Sequence, residues 1–161
     1  MTVSFTKTQS RFRFSRASRL LKPSEFQAVF DARKACRGQW LTVHRYQPSH
    51  SRACSENEQI EIIEQSHSAS RLGLIVAKRL VAASARRNLI RRILREHFRT
   101  TPEAFPPGDW IIRLHESPFR VKKGEVAPTR LQVVTGLRTD IQQILKRIAG
   151  HIRKETQGQS A

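Results

Sequence analysis

The stretch from Ser84 to Arg99 limits the fold most, because its apolar residues and its arginines separate onto opposite sides at helical spacing. At about 100° per residue, one arc holds an apolar group with a histidine, namely Leu89, Ile90, Ile93, Leu94, His97 and Phe98. The opposite arc holds Arg87, Asn88, Arg91, Arg92, Arg95 and Arg99. Since an apolar arc is buried against another layer, we predict a helix that packs on a core and turns its arginines outward.

The arginine arc is costly for an isolated helix, because it places like charges four residues apart. Arg87, Arg91, Arg95 and Arg99 follow at that interval, and each such pair costs roughly 0.2–0.5 kcal/mol. A guanidinium binds phosphate oxygens two at a time and stacks on bases. The 161-residue chain carries a formal charge of +17, which indicates a polyanionic partner. We favour nucleic acid over an anionic membrane, since no segment has the length and apolarity of a membrane-spanning helix.

The first predicted helix is short and carries two phenylalanines. Ser24 is a candidate N-cap for a helix that runs to about residue 33. Phe26, Val29 and Phe30 fall at i, i+3 and i+4, on one face of that helix.

The strand predicted at 40–46 has two different faces, because side chains alternate along a strand. Leu41 and Val43 share the apolar face. The other face is aromatic yet polar, with Trp40, Thr42, His44 and Tyr46. We interpret this second face as a candidate binding surface open to water.

The remaining patterns complete an α+β fold. Strands are predicted at 72–77 and 110–114, with Trp110 in the core, and an amphipathic helix begins near Pro128. The order α, β, β, α, β, α, with room for one more short strand, predicts a sandwich of a few strands with helices packed on it.

The chain length favours a single domain. We predict a basic, flexible arm at 1–18, one RNA-binding domain at 19–150 with a polar insertion at about 47–70, and a flexible tail at 151–161. The arm's composition overlaps with that of organelle transit peptides, but we prefer an arm that lies along phosphates.

The sequence shows no catalytic residue and no metal site. The cysteines, Cys36 and Cys54, lack a CxxC partner, and the six histidines show no paired ligand spacing. Asp31, Asp109 and Asp140 are isolated along the chain, although folding can still bring such residues together.

The arginine helix and its flanks resemble the bacterial ribonuclease P protein family. The segment Arg87-Asn88, Arg91-Arg92, Arg95-Glu96 and Phe98-Arg99 is similar to that family's Arg-Asn-Arg motif. The flanks that agree are Arg19-Leu20, Glu25-Phe26 and Val29-Phe30, then Arg71-Leu72-Gly73 through Lys78-Arg79, then Asp109-Trp110-Ile111-Ile112. The resemblance spans roughly residues 19 to 150.

The resemblance implies a particular topology and a particular role. The family's fold has a four-stranded sheet, about three helices and a left-handed β-α-β crossover, as in the second domain of a small-subunit ribosomal protein, whereas the default crossover is right-handed. The protein supports a catalytic RNA that removes the 5′ leader from precursor tRNA, so the endoribonuclease is the holoenzyme. Magnesium ions held by the RNA, a cytoplasmic location, no membrane and one protein per RNA are further expectations.

The resemblance also assigns two sets of binding residues. Lys78, Arg79, Arg86, Arg87, Asn88, Arg91, Arg92, Arg95 and Arg99 are expected to face the catalytic RNA. Phe26, Phe30, Trp40, His44 and Tyr46 are expected to contact the leader, where stacking contributes about 1–3 kcal/mol per base. A phenylalanine pair at i, i+4 is also typical of a core, and His44 stands where an aromatic residue is expected.

Three other classes of protein share parts of these patterns. A basic ribosomal or ribosome-assembly protein would share the charge and the arginine helix without a leader site. A protein-only nuclease would cleave RNA without an RNA cofactor, but a carboxylate signature is missing. A cationic membrane-surface protein would lay its helices on lipid, against which the predicted strands argue.

Overall fold

Four strands and three α-helices make up the part of the chain that the computed structural model describes, which is residues 14–47, 70–121 and 123–158. In chain order they are α1 (Pro23–Asp31), β1 (Ala35–Arg37), β2 (Leu41–Tyr46), β3 (Ser70–Ile75), α2 (Ser84–Thr100), β4 (Gly108–Leu114) and α3 (Arg130–Gly158). A turn of 3₁₀ helix at Pro102–Ala104 joins α2 to β4. The α+β class is thus confirmed, and β1 is the extra short strand.

The strands form one mixed sheet in the order β1-β2-β4-β3. β1, β2 and β4 pair antiparallel, whereas β3 and β4 pair parallel, with Leu72 opposite Trp110. The connection from β3 to β4 therefore crosses over through α2, as the resemblance implies. The hand of this crossover stays a prediction.

The two faces of the sheet are covered by different helices. Alternate residues of β2 and β4, including Leu41, Val43, Trp110 and Ile112, are buried with the apolar arcs of α2 and α3. On the opposite face, Ile111 is buried with residues of α1 and the segment before it. We call this second side the α1 face, and it is the side on which the polar residues of β2 lie.

The N-terminal cap of α1 differs from the prediction. The helix begins at Pro23, whose missing N–H is harmless in a first turn, and Lys22 rather than Ser24 is the cap residue. The carboxylate of Glu25 accepts hydrogen bonds from the backbone N–H groups of Leu21 and Lys22, at 2.7 and 2.8 Å. Glu25 thereby satisfies donors that precede the helix.

The folded domain begins earlier than residue 19. The ring of Phe14 packs edge-on against Phe98 of α2, with ring centres 5.9 Å apart. Leu72 donates a backbone hydrogen bond to Ser18 and accepts one from Leu20. The last residues of the predicted flexible arm therefore contribute to the core and to the edge of β3, because Phe14 finds an apolar partner that the sequence alone does not reveal.

The C-terminal helix also extends beyond the predicted boundary. Helix α3 runs from Arg130 to Gly158, past residue 150, because no helix-breaking proline interrupts the end of the amphipathic pattern. The predicted insertion at about 47–70 falls mostly on residues 48–69, which lie outside the described residues, as does Cys54.

The turn between β1 and β2 is held by a carboxylate from α3. Asp140 is 3% exposed and accepts hydrogen bonds from the backbone N–H groups of Gln39, Trp40 and Leu41, at 2.8, 2.9 and 3.0 Å. A Cβ at position 38 would lie 2.1 Å from Oδ1 of Asp140, so only glycine fits there. This contact fixes β1 against the C-terminal helix.

Candidate nucleic-acid interface

The predicted arginine arc of α2 lies on the side of the helix that faces away from the sheet. Ile90, Ile93, Leu94, His97 and Phe98 are buried, as predicted. Among the predicted RNA-binding residues, the exposed ones are Lys78, Arg79, Arg86, Asn88, Arg92 and Arg95, and the half-buried ones are Arg87, Arg91 and Arg99. Lys78 and Arg79 lie in the turn between β3 and α2.

Two arginines of this arc bind partners that lie outside the arc. Arg87 donates to the carbonyl oxygens of Val81 and Ala82, so it fastens the loop that leads into α2. Arg99 forms an ion pair with Glu96 at 2.5 Å. These two side chains are therefore less available to an external anion than the sequence pattern suggests.

The central arginines of α2 repel one another. Burial lowers the pKa of Arg95 first, and the positive charges of Arg19 and Arg91 lower the pKa further. Arg91 contacts only a neutral group among the described residues, the amide oxygen of Asn88 at 3.4 Å. We call Asn88, Arg91, Arg92 and Arg95 the arginine face. Among the described residues no carboxylate forms an ion pair with Arg91, Arg92 or Arg95. Glu96 offsets part of this charge, since the charge of Arg92 contributes to lowering the Glu96 pKa after the hydrogen bond from Arg99. The remaining positive charge favours a polyanion as the external partner.

The tertiary structure adds arginines that the sequence analysis missed. A groove of about 380 Å³ between α2 and α3 is lined by Arg130 and Arg138 together with Arg92 and Arg95. Arg130, Val134 and Arg138 lie four residues apart on α3, a signal visible in the sequence. Only the packing of α3 on α2 shows that this stripe borders the arginine face.

Four of the five predicted leader residues come together on the α1 face. Phe26, Phe30 and Tyr46 are partly buried around the small cluster of Leu20, Val29 and Ile111. The ring of Phe30 meets the imidazole of His44 edge-on, with ring centres 4.8 Å apart. We call Phe26, Phe30, His44 and Tyr46 the aromatic cleft. Its rings are half-exposed, which suits stacking as well as packing.

The floor of the aromatic cleft requires a glycine. A Cβ at position 73 of β3 would lie 2.6 Å from Cε1 of Phe26 and 3.2 Å from Leu20. Gly73 therefore lets the Phe26 ring lie directly on the sheet, so the ring's position is set by backbone as well as side chains.

His44 behaves as an aromatic ring rather than a charge. Burial lowers its pKa, and the nearby charge of Arg113 lowers the pKa further, so the imidazole is neutral near pH 7. Its Nε2 atom is buried and has no hydrogen-bond partner in the described part of the chain. The family resemblance predicts an aromatic residue at this position of β2, and His44 provides a ring there without adding positive charge.

Trp40 does not belong to this cleft, which corrects the prediction that it shares a face with His44 and Tyr46. The strand begins at Leu41 rather than at residue 40. Trp40 packs with the core on the α3 side, where a side chain at Gly136 would meet its ring at 2.8 Å. Side chains alternate between the two faces only inside the strand. Trp40 lies in the turn before the strand, where the backbone directs its side chain toward α3.

An ion network fastens α1 to the sheet. Arg71 of β3 donates through Nε and Nη2 to the two carboxylate oxygens of Asp109, both at 2.7 Å, and through Nη1 to Glu25 at 2.6 Å. Asp109 is 3% exposed. Arg71 and Asp109 are therefore positioning residues for the helix that carries Phe26 and Phe30, and their pairing across two strands is invisible in the sequence.

The network makes the position of α1 sensitive to acid. Burial alone raises the pKa of Glu25, but hydrogen bonds from Lys22, Leu21 and Arg71 outweigh it and lower the pKa below the ordinary 4.5. A lowered folded pKa gives stability that is present above the unfolded pKa and is lost as pH falls through the folded pKa. We expect Glu25→Ala to lower the free energy of unfolding by about 2 kcal/mol near pH 7.

Urea unfolding near pH 7 and at about pH 3.5 measures this effect. The difference in the free energy of unfolding between the wild type and Glu25→Ala narrows at the lower pH, because acid protonates Glu25 in the wild type. Asp31→Asn, at the exposed end of the same helix, is the matched control and is expected to change the free energy of unfolding by less than about 0.5 kcal/mol near pH 7. An unchanged gap for Glu25→Ala at the lower pH contradicts the account.

The described residues contain no group of three or more His, Cys, Asp or Glu side chains arranged to hold a metal ion. Cys36 is a partly buried free thiol. No helix in the ranges described above is both long and apolar enough to cross a bilayer.

The fold and the two surfaces are those of an α+β RNA-binding protein. The family model described as Ribonuclease P matches residues 14–148. The ribonuclease P protein component of Bordetella avium is 38% identical over 98 residues, covering 61% of this chain and 69% of that one. The equivalent protein of an Azoarcus species is 38% identical over 103 residues, covering 64% and 72%.

A solved structure supports the same fold. The ribonuclease P protein of Staphylococcus aureus superposes with a TM-score of 0.57 at 20% identity, covering 83% of this chain and 96% of that one. The chain belongs to the ribonuclease P protein component family, consistent with the protein subunit of ribonuclease P in tRNA 5′ processing.

Proposed function

We propose that this chain binds the catalytic RNA of ribonuclease P and the 5′ leader of precursor tRNA, so that the assembled particle removes the leader. The observation that carries the proposal is the arginine face of α2, where Arg91 and Arg95 form no ion pair among the described residues and the charge of Arg91 lies close to Arg95. A second, aromatic surface lies on the other side of the sheet. One domain thus offers two different surfaces to RNA.

The two surfaces have different tasks in this proposal. The arginine face, with Lys78 and Arg79, binds the phosphates of the catalytic RNA through guanidinium forks and fixes its orientation. The aromatic cleft stacks unpaired leader bases at about 1–3 kcal/mol per base. Trp40 supports β2 from the opposite side and has no direct contact with the leader.

Cleavage itself is assigned to the RNA partner. Magnesium ions held by the RNA would supply the Lewis-acid chemistry of cleavage, while this chain supplies charge, positioning and leader affinity. The particle contains one protein per RNA and works in the cytoplasm, away from any membrane. The endonuclease is therefore the assembly.

Precursor-tRNA cleavage tests the proposal directly. The reaction is run at low magnesium and near-physiological salt with the protein alone, with a bacterial ribonuclease P RNA alone, and with both. We expect cleavage at the mature 5′ end to depend on both. Cleavage by the protein alone means a protein nuclease, and tight salt-sensitive RNA binding without stimulation means a ribosomal or ribosome-assembly protein; either result overturns the proposal.

A further inference from the structure

The groove between α2 and α3 brings cations from two helices to opposite sides of one apolar floor. Its volume is about 380 Å³. The floor is buried or half-buried and consists of Phe14, Leu89, Ile93 and Val134. The wall from α2 carries Arg92, Arg95 and Arg99, and the wall from α3 carries Arg130 and Arg138. We call this site the two-helix groove.

The packing of α3 on α2 fixes the arginines of α3 at the groove. Leu137 and Ile141 of α3 are buried in one core cluster with Leu94 of α2. Arg130 and Arg138 belong to a stripe at intervals of four residues that lies beside this contact. Both side chains are exposed, and no carboxylate forms an ion pair with either of them among the described residues. The core contact therefore holds α3 in place, while its arginine stripe is open to an external anion.

A carboxylate already lies among the arginines of both walls. Glu96 lines the groove and accepts hydrogen bonds from Nε and Nη2 of Arg99, at 3.1 and 2.5 Å. The hydrogen bond from Arg99 holds the pKa of Glu96 below its usual value. The positive charges of Arg138 and Arg92 lower this pKa further. A negative group at this point is thus stabilised from α2 and from α3 together, as a bound phosphate would be.

One carboxylate does not neutralise the groove. Five arginines line it, whereas Glu96 is the one acid among the described lining residues. Arg19 adds a further positive charge, because its guanidinium stacks on Phe14 of the floor at 4.9 Å from the ring centre. A cleft with walls of one charge and an apolar floor focuses its field on counter-ions. The two-helix groove therefore attracts a row of anions more strongly than the surface of either helix alone.

We propose that the two-helix groove binds the phosphodiester backbone of the catalytic RNA, with Arg130 and Arg138 as a second row of contacts and Glu96 as the internal anion that the phosphates displace. This inference rests on the proposed function and extends its RNA surface from α2 to α3. Guanidinium forks on both walls hold the backbone from two sides, so the groove fixes the direction in which the RNA strand crosses α2. Helix α3 thus acts in RNA binding as well as in the core.

Titration of labelled catalytic RNA with the protein, in the absence of tRNA, tests the inference. Arg130→Ala with Arg138→Ala is the main variant, since neither residue is on the arginine face or in the aromatic cleft. We expect Kd for the catalytic RNA to rise by about 10-fold near physiological salt. The slope of log affinity against log salt is expected to fall by about two, because two phosphate contacts are lost.

Glu96→Gln gives an expected result of the opposite sign. The amide keeps the shape of the side chain but removes the negative charge that competes with the phosphates, so Kd is expected to fall by about 3-fold. This gain is expected to be smaller in the background of Arg130→Ala with Arg138→Ala, because part of the attraction that Glu96 offsets is then absent. A purely structural role for Glu96 predicts lower stability without tighter binding. An equal or higher Kd for Glu96→Gln overturns the inference.

Two controls separate charge at the groove from total charge and from folding. Arg153→Ala with Lys154→Ala removes the same charge from the exposed end of α3. It is expected to raise Kd by less than about 2-fold, because these charges lie more than a Debye length from the groove. Arg130→Lys with Arg138→Lys keeps the charge but removes the forks, and it is expected to lose less affinity than the alanine pair. Thermal unfolding of the free proteins identifies any variant that does not fold, in which case the lysine pair carries the test.

Each remaining outcome overturns the inference. An equal loss of affinity in the charge control means that total charge alone sets the affinity. An unchanged Kd for Arg130→Ala with Arg138→Ala means that the catalytic RNA does not contact α3. A loss that appears only when precursor tRNA is added to the holoenzyme assigns the groove to the tRNA, which shares the phosphodiester chemistry. Failure of the unaltered protein to bind the catalytic RNA overturns the proposed function as well, and that result is distinct because it appears without any substitution.

Discussion

Replacing Arg91 and Arg95 together by alanine is expected to weaken binding of the catalytic RNA by about 100-fold at physiological salt. Each charge-assisted contact with a phosphate contributes about 1.5–3 kcal/mol, and each contact also releases counterions. The slope of log affinity against log salt is therefore expected to fall by about two. Titration of labelled RNA at several salt concentrations measures both quantities.

The same variant is expected to fold at least as well as the wild type. Burial lowers the pKa of Arg95, and the positive charges of Arg19 and Arg91 lower this pKa further. Removing the repulsion between Arg91 and Arg95 favours the helix by a few tenths of a kcal/mol, roughly. An unchanged free energy of unfolding together with a lower RNA affinity indicates that the two arginines act in binding rather than in folding. Arg153→Ala with Lys154→Ala is the control for total charge, and an equal loss of affinity in that control contradicts a specific role for the arginine face.

Replacing Asp140 by alanine is expected to lower the free energy of unfolding by about 3–4 kcal/mol. The carboxylate accepts hydrogen bonds from the backbone N–H groups of Gln39, Trp40 and Leu41, and alanine leaves these donors without an acceptor. The N–H of Leu41 is buried, so water does not replace the lost bond there. This is the largest stability effect that we expect from a single polar substitution.

Urea unfolding followed by circular dichroism measures the loss in Asp140→Ala. Asp140→Asn keeps one acceptor oxygen, and we expect an intermediate loss. Thr139→Ala, at the neighbouring exposed position of α3, is the matched control and is expected to change stability by less than about 0.5 kcal/mol. A loss in Asp140→Ala as small as that of the control means that the turn does not depend on this carboxylate.

The turn that depends on Asp140 also positions a basic side chain at the end of the sheet. The turn that Asp140 holds joins β1 to β2, and β1 ends in Arg37, which lines a cleft of about 730 Å³ at the end of the sheet. The Arg37 carbonyl accepts a hydrogen bond from Arg147 of α3 as well. The C-terminal helix therefore positions Arg37 in the wall of this cleft from the opposite side of the sheet.

Helix α2 and the strands could be predicted because their patterns are local. The apolar arc of α2 was correct at its five buried positions, since a helix places i, i+3 and i+4 on one face whatever it packs against. The burial of β2 alternates as expected from Leu41 to Tyr46. The error at Trp40 came from extending that alternation one residue beyond the strand, where the turn held by Asp140 sets the direction.

The sequence by itself determined the elements, the α+β class and the separation of arginine from apolar residues on α2, because these depend on neighbours within a few positions. Only the tertiary structure brought Arg71 to Asp109 and Glu25, and Arg37, Arg79, Arg86 and Arg120 to one pocket. These residues are separated along the chain, and the crossover and the strand order decide which of them meet. Local periodicity carries no information about such contacts, so only the assembled sheet shows which of these separated charges lie together.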